Sequence, residues 1–236
     1  MGEYDKALDY YIRQMKVEEE YGDKRSMGKI TYIIGRMYFY NSDLDKALEY
    51  YTRSLKIFEE LGDKMNIVEK LLEIGWVYYT IGENNKAVDS YNRELIILEE
   101  LGNKEAISNN FTNMGLVYFQ QEDYNKALEF LDKSATMQME FDSTITLETA
   151  SHLFLSKRIL GKEYNVAEIH THIKEGEEIE DYINFALFKL LEDTSYLETA
   201  YNQVQELANN LEPHVAAKFL SYPIPKAIVE EWEKVK

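Results

Sequence analysis

Three tetrapeptides combine glycine, an acid or amide, and lysine, the residue types that can cradle a phosphate. They read YGDK at residues 21–24, LGDK at 61–64 and LGNK at 101–104. A phosphate-binding loop needs four residues between its glycines, and a serine or threonine after its lysine to hold Mg²⁺. The segment from Gly22 to Ile30 has five residues between its glycines and places Ile30 after the lysine. We therefore expect no nucleotide site in these segments.

The spacing of the histidines and the absence of cysteine argue against a metal site or a nucleophilic catalyst. His170 and His172 are two residues apart, so on a helix they point to different sides and cannot share a metal as an i, i+4 pair does. His152 and His214 stand alone in the sequence. The absence of cysteine excludes disulfides, thiolate metal sites and cysteine nucleophiles. We predict no metal, no cofactor and no enzymatic activity, and the composition fits a cytoplasmic protein.

The charge balance restricts the classes of partner. There are 43 acidic and 26 basic residues, which give a net charge of −17. A nucleic-acid binder needs a basic stripe to displace counterions from phosphates, and an anionic membrane surface attracts basic segments. No run of about 18 apolar residues that could cross a membrane occurs. We expect neither nucleic acid nor membrane as a partner. An acidic surface usually serves solubility, and a basic partner is the alternative.

The elements that position these residues come from a repeat of forty residues. Apolar residues three and four apart, such as Ala47, Tyr51, Leu55 and Phe58, form one stripe of an α-helix, and each period contains two such amphipathic helices. With only three prolines and eleven glycines, a turn-rich β fold is not expected. Residues at equivalent positions of successive repeats form columns. The recurring columns are Gly22, Gly62 and Gly102; Gly35, Gly75 and Gly115; Tyr38, Tyr78 and Tyr118; Tyr11, Tyr51 and Tyr91, with Leu131 in the fourth copy; and Ala7, Ala47, Ala87, Ala127 and Ala167.

Each column has a predicted structural role. The glycine column at Gly35 lets two helices of a pair approach closely, against the small surface of Ala47. A larger side chain at Gly75 is expected to overpack the pair and cost about 1–3 kcal/mol. The glycine of each tetrapeptide ends the second helix in a left-handed turn. The acid or amide after it caps the next helix, and the lysine is expected to be solvated. In the fourth joint, FDST, Asp142 replaces the glycine.

These motifs resemble the tetratricopeptide repeat family. The segments IGRMY, IGWVY and MGLVY carry the first half of its motif, and KALEYY, KAVDSY and KALEFL carry the second. The period of forty is similar to that of kinesin light chains, spindle-orientation adaptors and bacterial peptide-sensing regulators. The resemblance implies an all-α fold, a right-handed α-solenoid of antiparallel helix pairs with a C-terminal capping helix. It also implies a surface that binds peptides or protein segments.

The period predicts the domain organisation. We expect a half repeat at 1–23, which holds a second helix only, and full repeats at 24–63, 64–103 and 104–143. A divergent repeat at 144–176, a degenerate helix pair at 177–212 and a cap at 213–236 follow, with Ile228 and Trp232 packed back onto the array. Atypical terminal repeats cover the apolar ends of a solenoid. Because the half repeat lacks its first helix, we expect either a fragment of a longer protein or a homodimer that covers this face.

The resemblance also implies which residues face a ligand, because the first helices of such repeats line the concave surface. Trp76 is the preferred contact, since a rigid aromatic ring is a common hot spot. Asn109 and Asn113 could hold a peptide backbone with their amides, and Glu69 and Glu73 favour a neutral or basic segment over an acidic one. The full predicted set is Tyr32, Arg36, Phe39, Glu69, Glu73, Trp76, Tyr79, Asn109, Asn113, Leu116, Phe119 and His152.

The aromatic ladder within this set has a second interpretation. Phe39, Tyr79 and Phe119 recur every forty residues and could equally pack adjacent first helices together. We predict a scaffold that binds a protein or peptide segment in its groove. Two alternatives stay open: a ligand-sensing portion of a larger signalling protein, and an oligomerisation unit that acts through the open N-terminal helix.

Overall fold

The computed structural model describes residues 2–173 and 178–236, and every regular element in these ranges is helical. The α-helices are α1 (Gly2–Tyr21), α2 (Lys24–Tyr40), α3 (Leu44–Leu61), α4 (Lys64–Ile81), α5 (Asn84–Leu101), α6 (Lys104–Gln120), α7 (Tyr124–Phe141), α8 (Leu147–Ile159), α9 (Ile169–His172), α10 (Asp181–Leu191), α11 (Thr194–Asn209), α12 (Pro213–Phe219) and α13 (Pro223–Val235). They form the predicted solenoid of antiparallel helix pairs. None of the described helices is both long and apolar enough to cross a membrane.

The regular part of the solenoid consists of α1 and the three pairs α2–α3, α4–α5 and α6–α7. Helix α1 packs against α2 as the second helix of a repeat would. On its other side α1 carries exposed apolar side chains, among them Tyr10, which is 62% exposed, and Val17.

The joints between repeats adopt the predicted geometry. Gly62 and Gly102 both have φ of 65°, in the left-handed region that favours glycine. Asp63 and Asn103 follow them and accept hydrogen bonds from Asn66 N, at 3.3 Å, and Ala106 N, at 3.1 Å. These bonds satisfy free N–H groups at the start of α4 and α6. The interpretation of the tetrapeptides as helix joints is confirmed.

The lysines of the joints do more than face solvent. Nζ of Lys24 lies 2.8 Å from Oε2 of Glu60, and Nζ of Lys64 lies 2.7 Å from Oε2 of Glu100. Each pair joins the start of a first helix to the end of the second helix of the same repeat. Because all four side chains are about half exposed, each pair contributes at most about 1 kcal/mol.

The small residues inside each pair form a close helix contact. An added Cβ on Gly35 would lie 2.6 Å from Cδ1 of Tyr51, so the tyrosine ring lies directly on the glycine. Ala47 is completely buried nearby on α3. Tyr38 stacks on Tyr50, with ring centroids 5.5 Å apart.

The fourth repeat departs from the regular pattern in its second helix. Helix α8 is in place, and in the described part of the second helix only the 3-10 turn Val166–Glu168 and the four residues of α9 are helical. The prediction that Ala167 continues the packing column is wrong, because it lies in the 3-10 turn and is exposed. The joint before α8 has also changed, since Asp142 is right-handed and Ser143 takes φ of 58°. The boundary predicted at 176/177 lies outside the described residues.

The C-terminal cap returns to the second repeat. Ile228 is completely buried, and the Trp232 ring stacks on Tyr201 with centroids 5.2 Å apart, which confirms the predicted packing. Helix α13 begins at Pro223 rather than after Pro225, since proline is tolerated in the first turn of a helix. Pro223 lies against Gly82 at the end of α4. The last helices therefore close over one end of the inner face of the solenoid.

Candidate functional site

The inner face is built by the first helices of successive repeats, α2, α4, α6 and α8. Neighbouring first helices contact each other along this face. The Oη of Tyr32 on α2 donates a hydrogen bond of 2.8 Å to Oε1 of Glu73 on α4. Two of the predicted site residues are thus joined across a repeat boundary.

A buried cation lies beneath this pair. The Lys70 side chain is 1% exposed, and its Nζ lies 3.7 Å from the ring centroid of Tyr32 and forms an ion pair with Glu69. Burial lowers the pKa of Lys70 and raises the pKa of Glu73, whose carboxylate is partly stabilised by the Tyr32 hydroxyl and the Arg36 charge. This role of Lys70 could not be predicted from the sequence, because no other repeat has a lysine at the corresponding position.

Arg36 and Glu69 remain at the surface of this cluster. Nη2 of Arg36 donates to Oη of Tyr40 at 2.7 Å, and its guanidinium carbon lies 5.4 Å from the centroid of that ring. Leu72, on the same face of α4 as Glu69, is 37% exposed. A ligand in this part of the groove would meet both signs of charge and an apolar side chain.

An aromatic cluster lies further along the inner face. Trp76 is half-buried, with its ring centroid 5.3 Å from Tyr79 on α4 and 5.6 Å from Tyr182 on α10. Tyr79 is buried, while Phe39 is half-buried. Phe39, Trp76, Tyr79 and Tyr182 line a cavity of about 420 Å³. Tyr182 comes from outside the regular repeats, so no column of the sequence pointed to it.

Tyr182 also joins α10 to the fourth repeat. Its Oη donates a hydrogen bond of 2.5 Å to Oε1 of Glu148, and its ring lies 6.2 Å from that of His152. His152 is buried, its Nδ1 lies 3.0 Å from the carbonyl oxygen of Glu148, and burial lowers its pKa to about 4. Burial raises the pKa of Glu148. Phe119 packs edge-on against His152, with centroids 5.4 Å apart, beside a second cavity of about 320 Å³.

The predicted residues of α6 divide into exposed and buried members. Asn109 is exposed and Asn113 is half-buried, whereas Leu116 is 1% exposed and lies in the core. A ligand would reach Leu116 only if the helices moved apart. The neighbouring Asn110 is a structural residue, since its Nδ2 donates to the carbonyl oxygen of Tyr91 at 2.9 Å.

Apart from Leu116, which lies in the core, the predicted set falls into two parts. The open part contains Tyr32, Arg36, Glu69, Glu73, Asn109 and Asn113, together with the exposed Leu72. The covered part contains Phe39, Trp76, Tyr79, Phe119 and His152, which the C-terminal helices overlie or approach. No group of three or more His, Asp or Glu side chains within the described ranges could hold a metal ion.

The sequence matches two models described as tetratricopeptide repeat, one over residues 1–60 and 26–100 and the other over 109–138. Together they span more than half of the chain. The chain belongs to the tetratricopeptide repeat family. No curated protein sequence matches it at a significant level.

Several solved structures of tetratricopeptide repeat proteins share this fold. The apo form of RapI aligns with a TM-score of 0.70 at 17% identity, over 99% of this chain and 72% of that protein. A Rap protein complexed with competence and sporulation factor aligns with a TM-score of 0.62 at 17% identity, over 100% of this chain and 72% of that protein. BtubC (BKLC) from P. vanneervenii aligns with a TM-score of 0.59 at 15% identity, over 89% and 94% of the two chains.

Proposed function

We propose that this chain is a scaffold that binds a protein or peptide segment along the inner face of α2, α4 and α6. The observation that carries the proposal is the row of exposed side chains on three successive first helices: Arg36, Glu69, Leu72 and Asn109. The exposed surfaces of these side chains fill no part of the solenoid core, so they are available to a ligand. Similarity of fold to a Rap protein complexed with competence and sporulation factor supports the same kind of ligand.

Each part of the row has a chemical role in this proposal. The amides of Asn109 and Asn113 hydrogen bond to the ligand backbone, since an amide offers both donors and an acceptor. Leu72 and the accessible side of Trp76 receive an apolar side chain. Glu69 and Glu73 select a neutral or basic segment, because an acidic one would place like charges together. We propose a cytoplasmic location, with which the lack of cysteine is consistent.

The test is selection of peptides from a random twelve-residue display library on the immobilised chain, followed by fluorescence anisotropy of the selected peptides. Trp76→Ala and Asn113→Ala should each weaken binding by about tenfold or more, the size expected of a hot spot. Asn92→Ala is the matched control, because Asn92 is an exposed asparagine on the second helix α5. Selected peptides whose affinity both groove variants leave unchanged would overturn the proposal.

The selected sequences provide a second readout. We expect lysine or arginine to be enriched over aspartate and glutamate among them. Glu73→Gln and Glu69→Gln should reduce that preference without abolishing binding, since they remove charge and keep shape. Enrichment of acidic peptides would contradict the assigned role of the two carboxylates.

A second candidate function is supported by one contact. Trp76, on the groove side of α4, touches Tyr182 of the C-terminal part. A ligand that displaced Tyr182 would change how α10 packs, as a sensing portion of a larger regulator requires. Hydrogen exchange on α10 with and without a selected peptide tests this. Equal exchange rates favour the plain scaffold.

A further inference from the structure

A second surface with the features of a binding site lies on the outer side of the solenoid, at the shortened fourth repeat. In the regular repeats, consecutive second helices lie side by side. Nη2 of Arg93 on α5 lies 2.5 Å from Oε1 of Glu59 on α3, and Arg53 on α3 pairs in the same way with Glu19 on α1. Met139 lies eighty residues after Glu59, and Ile173 lies eighty residues after Arg93, so the repeat places these two apolar residues at the positions of the ion pair. The polar ladder therefore changes to an apolar pair where the array becomes irregular.

In the part of the chain that the structure describes, the helix that should follow α7 in this row is short. Helices α3, α5 and α7 have 18 residues each, which corresponds to a length of about 27 Å. The matching position in the fourth repeat holds one 3-10 turn and the four residues of α9. In a place that receives a long amphipathic helix elsewhere in the solenoid, the helical residues that the structure describes thus make only about two turns.

An open cleft of about 900 Å³ occupies this place, between α7, α8 and α9. Leu153 and Phe154 of α8 form part of its lining and are buried in the core of this region. On the α7 wall, Ala135 is half-buried and Met139 is 52% exposed. Ile145 completes the apolar part of the lining, and the rest of the cleft wall is polar or charged.

The charges around the cleft favour a basic occupant. Asp132, Glu140 and Glu168 line it, against Lys157 and His172. Lys157 is already engaged, with its Nζ 3.5 Å from Oδ1 of Asp132. The excess of carboxylates continues the acidic character of the whole chain. A helix with lysine or arginine beside its apolar face would complement them.

We propose that this cleft docks an amphipathic helix of a partner protein, with an apolar face and basic flanks, in the place of the missing second helix. The helix-in-groove mode requires apolar anchors at helical spacing in a preformed apolar groove. This proposal is independent of the peptide groove, because the cleft shares no lining residue with the open row on α2, α4 and α6.

The probes are two fluorescein-labelled helical peptides of 18 residues with the same leucine and alanine face. One carries lysine and arginine on its flanks, and the other carries glutamate. The basic peptide should bind the full chain, and the acidic one should bind about tenfold more weakly or worse, since it meets like charge.

Met139→Lys is the decisive variant, because it replaces an apolar wall residue with a charge that repels the basic flank. Ile96→Lys is the matched control. Ile96 is a 59% exposed apolar residue on α5, and its column already carries lysine at Lys56. Met139→Lys should weaken binding of the basic peptide by about tenfold or more, whereas Ile96→Lys should leave it within about twofold. Trp76→Ala should leave it unchanged.

Three results would overturn the proposal. The basic peptide could fail to bind, or both lysine variants could weaken it equally, as non-specific attraction to an acidic surface requires. Alternatively, sedimentation could show that the chain self-associates and that Met139→Lys abolishes the association, in which case the occupant is a second copy. Thermal unfolding of Met139→Lys checks the fold, which a half-exposed position should preserve.

Discussion

The ring of Tyr91 occupies the space in which Gly75 would carry a side chain. A Cβ added to Gly75 would lie 2.5 Å from Cε1 of that ring, closer than non-bonded carbons approach. Because Tyr91 is completely buried on α5, its ring has no room to move aside. We expect Gly75→Ala to reduce the free energy of unfolding by about 1–3 kcal/mol, measured by urea denaturation.

The third repeat supplies the control for this contact. Gly115 meets Leu131 in the same column, with a Cβ-to-Cγ distance of 2.6 Å. Leucine can change rotamer where a tyrosine ring cannot, so Gly75→Ala combined with Tyr91→Leu should cost less than the two single changes added together. Additive losses would show that the ring does not restrict position 75.

The left-handed joints predict a pair of opposite stability changes. Gly62 has φ of 65° and nothing within 4 Å of an added Cβ, so Gly62→Ala introduces backbone strain alone. Its expected cost is about 1 kcal/mol. Ser143 has φ of 58° at the fourth joint, and Ser143→Gly should relieve similar strain and gain about 0.5 kcal/mol. Urea midpoints that move in the same direction for both variants would contradict this account.

The structural features that recur every forty residues could be predicted from the sequence. The glycines at joints and in helix contacts were identifiable because their forty-residue spacing places the same backbone demand in each copy. The capping role of Asp63 followed from its place after a joint glycine, and its bond to Asn66 N bears this out.

The structure of the segments that depart from the forty-residue repeat could not be predicted from the recurring residues. Ala167 keeps its column, yet its N–H donates a local hydrogen bond of 3.2 Å to Oδ1 of Asn165, at the start of a 3-10 turn. The contact of Trp76 with Tyr182 joins residues more than two repeats apart, and depends on how far the solenoid turns. Small rotations between repeats add up, so local patterns do not fix the closure of the array.

A buried carboxyl predicts a pH-dependent stability. Glu94 is almost fully buried beside Asn110, whose Nδ2 donates to it at 3.0 Å, and burial raises its pKa to about 8. In the unfolded chain the carboxyl ionises near its ordinary value of 4.5. Between these values the folded state holds a proton that the unfolded state has lost, so Glu94 makes stability fall as pH rises from about 4.5 to about 8.

Glu94→Gln should remove this contribution, because glutamine keeps the shape and does not ionise. We expect it to stabilise the chain by about 1–3 kcal/mol at pH 8 and to have little effect at pH 4.5. Glu100→Gln is the control, since Glu100 is half exposed in its pair with Lys64. If urea midpoints show the same pH slope for both variants, ionisation of Glu94 does not limit stability.

The bond between Tyr182 and Glu148 predicts how firmly the C-terminal part is held against the inner face. Tyr182→Phe removes the donor and leaves a buried carboxylate unpaired, which should cost about 1–3 kcal/mol. Adding Glu148→Leu should recover part of the loss, since replacing both partners by apolar groups leaves no polar atom unsatisfied.

In a Trp232→Phe background, Trp76 is the only tryptophan, and its emission should shift to longer wavelength in Tyr182→Phe as the contact loosens. Tyr10→Phe, at an exposed site, should change neither quantity. Unchanged emission together with unchanged stability in Tyr182→Phe would mean that other contacts hold α10 in place.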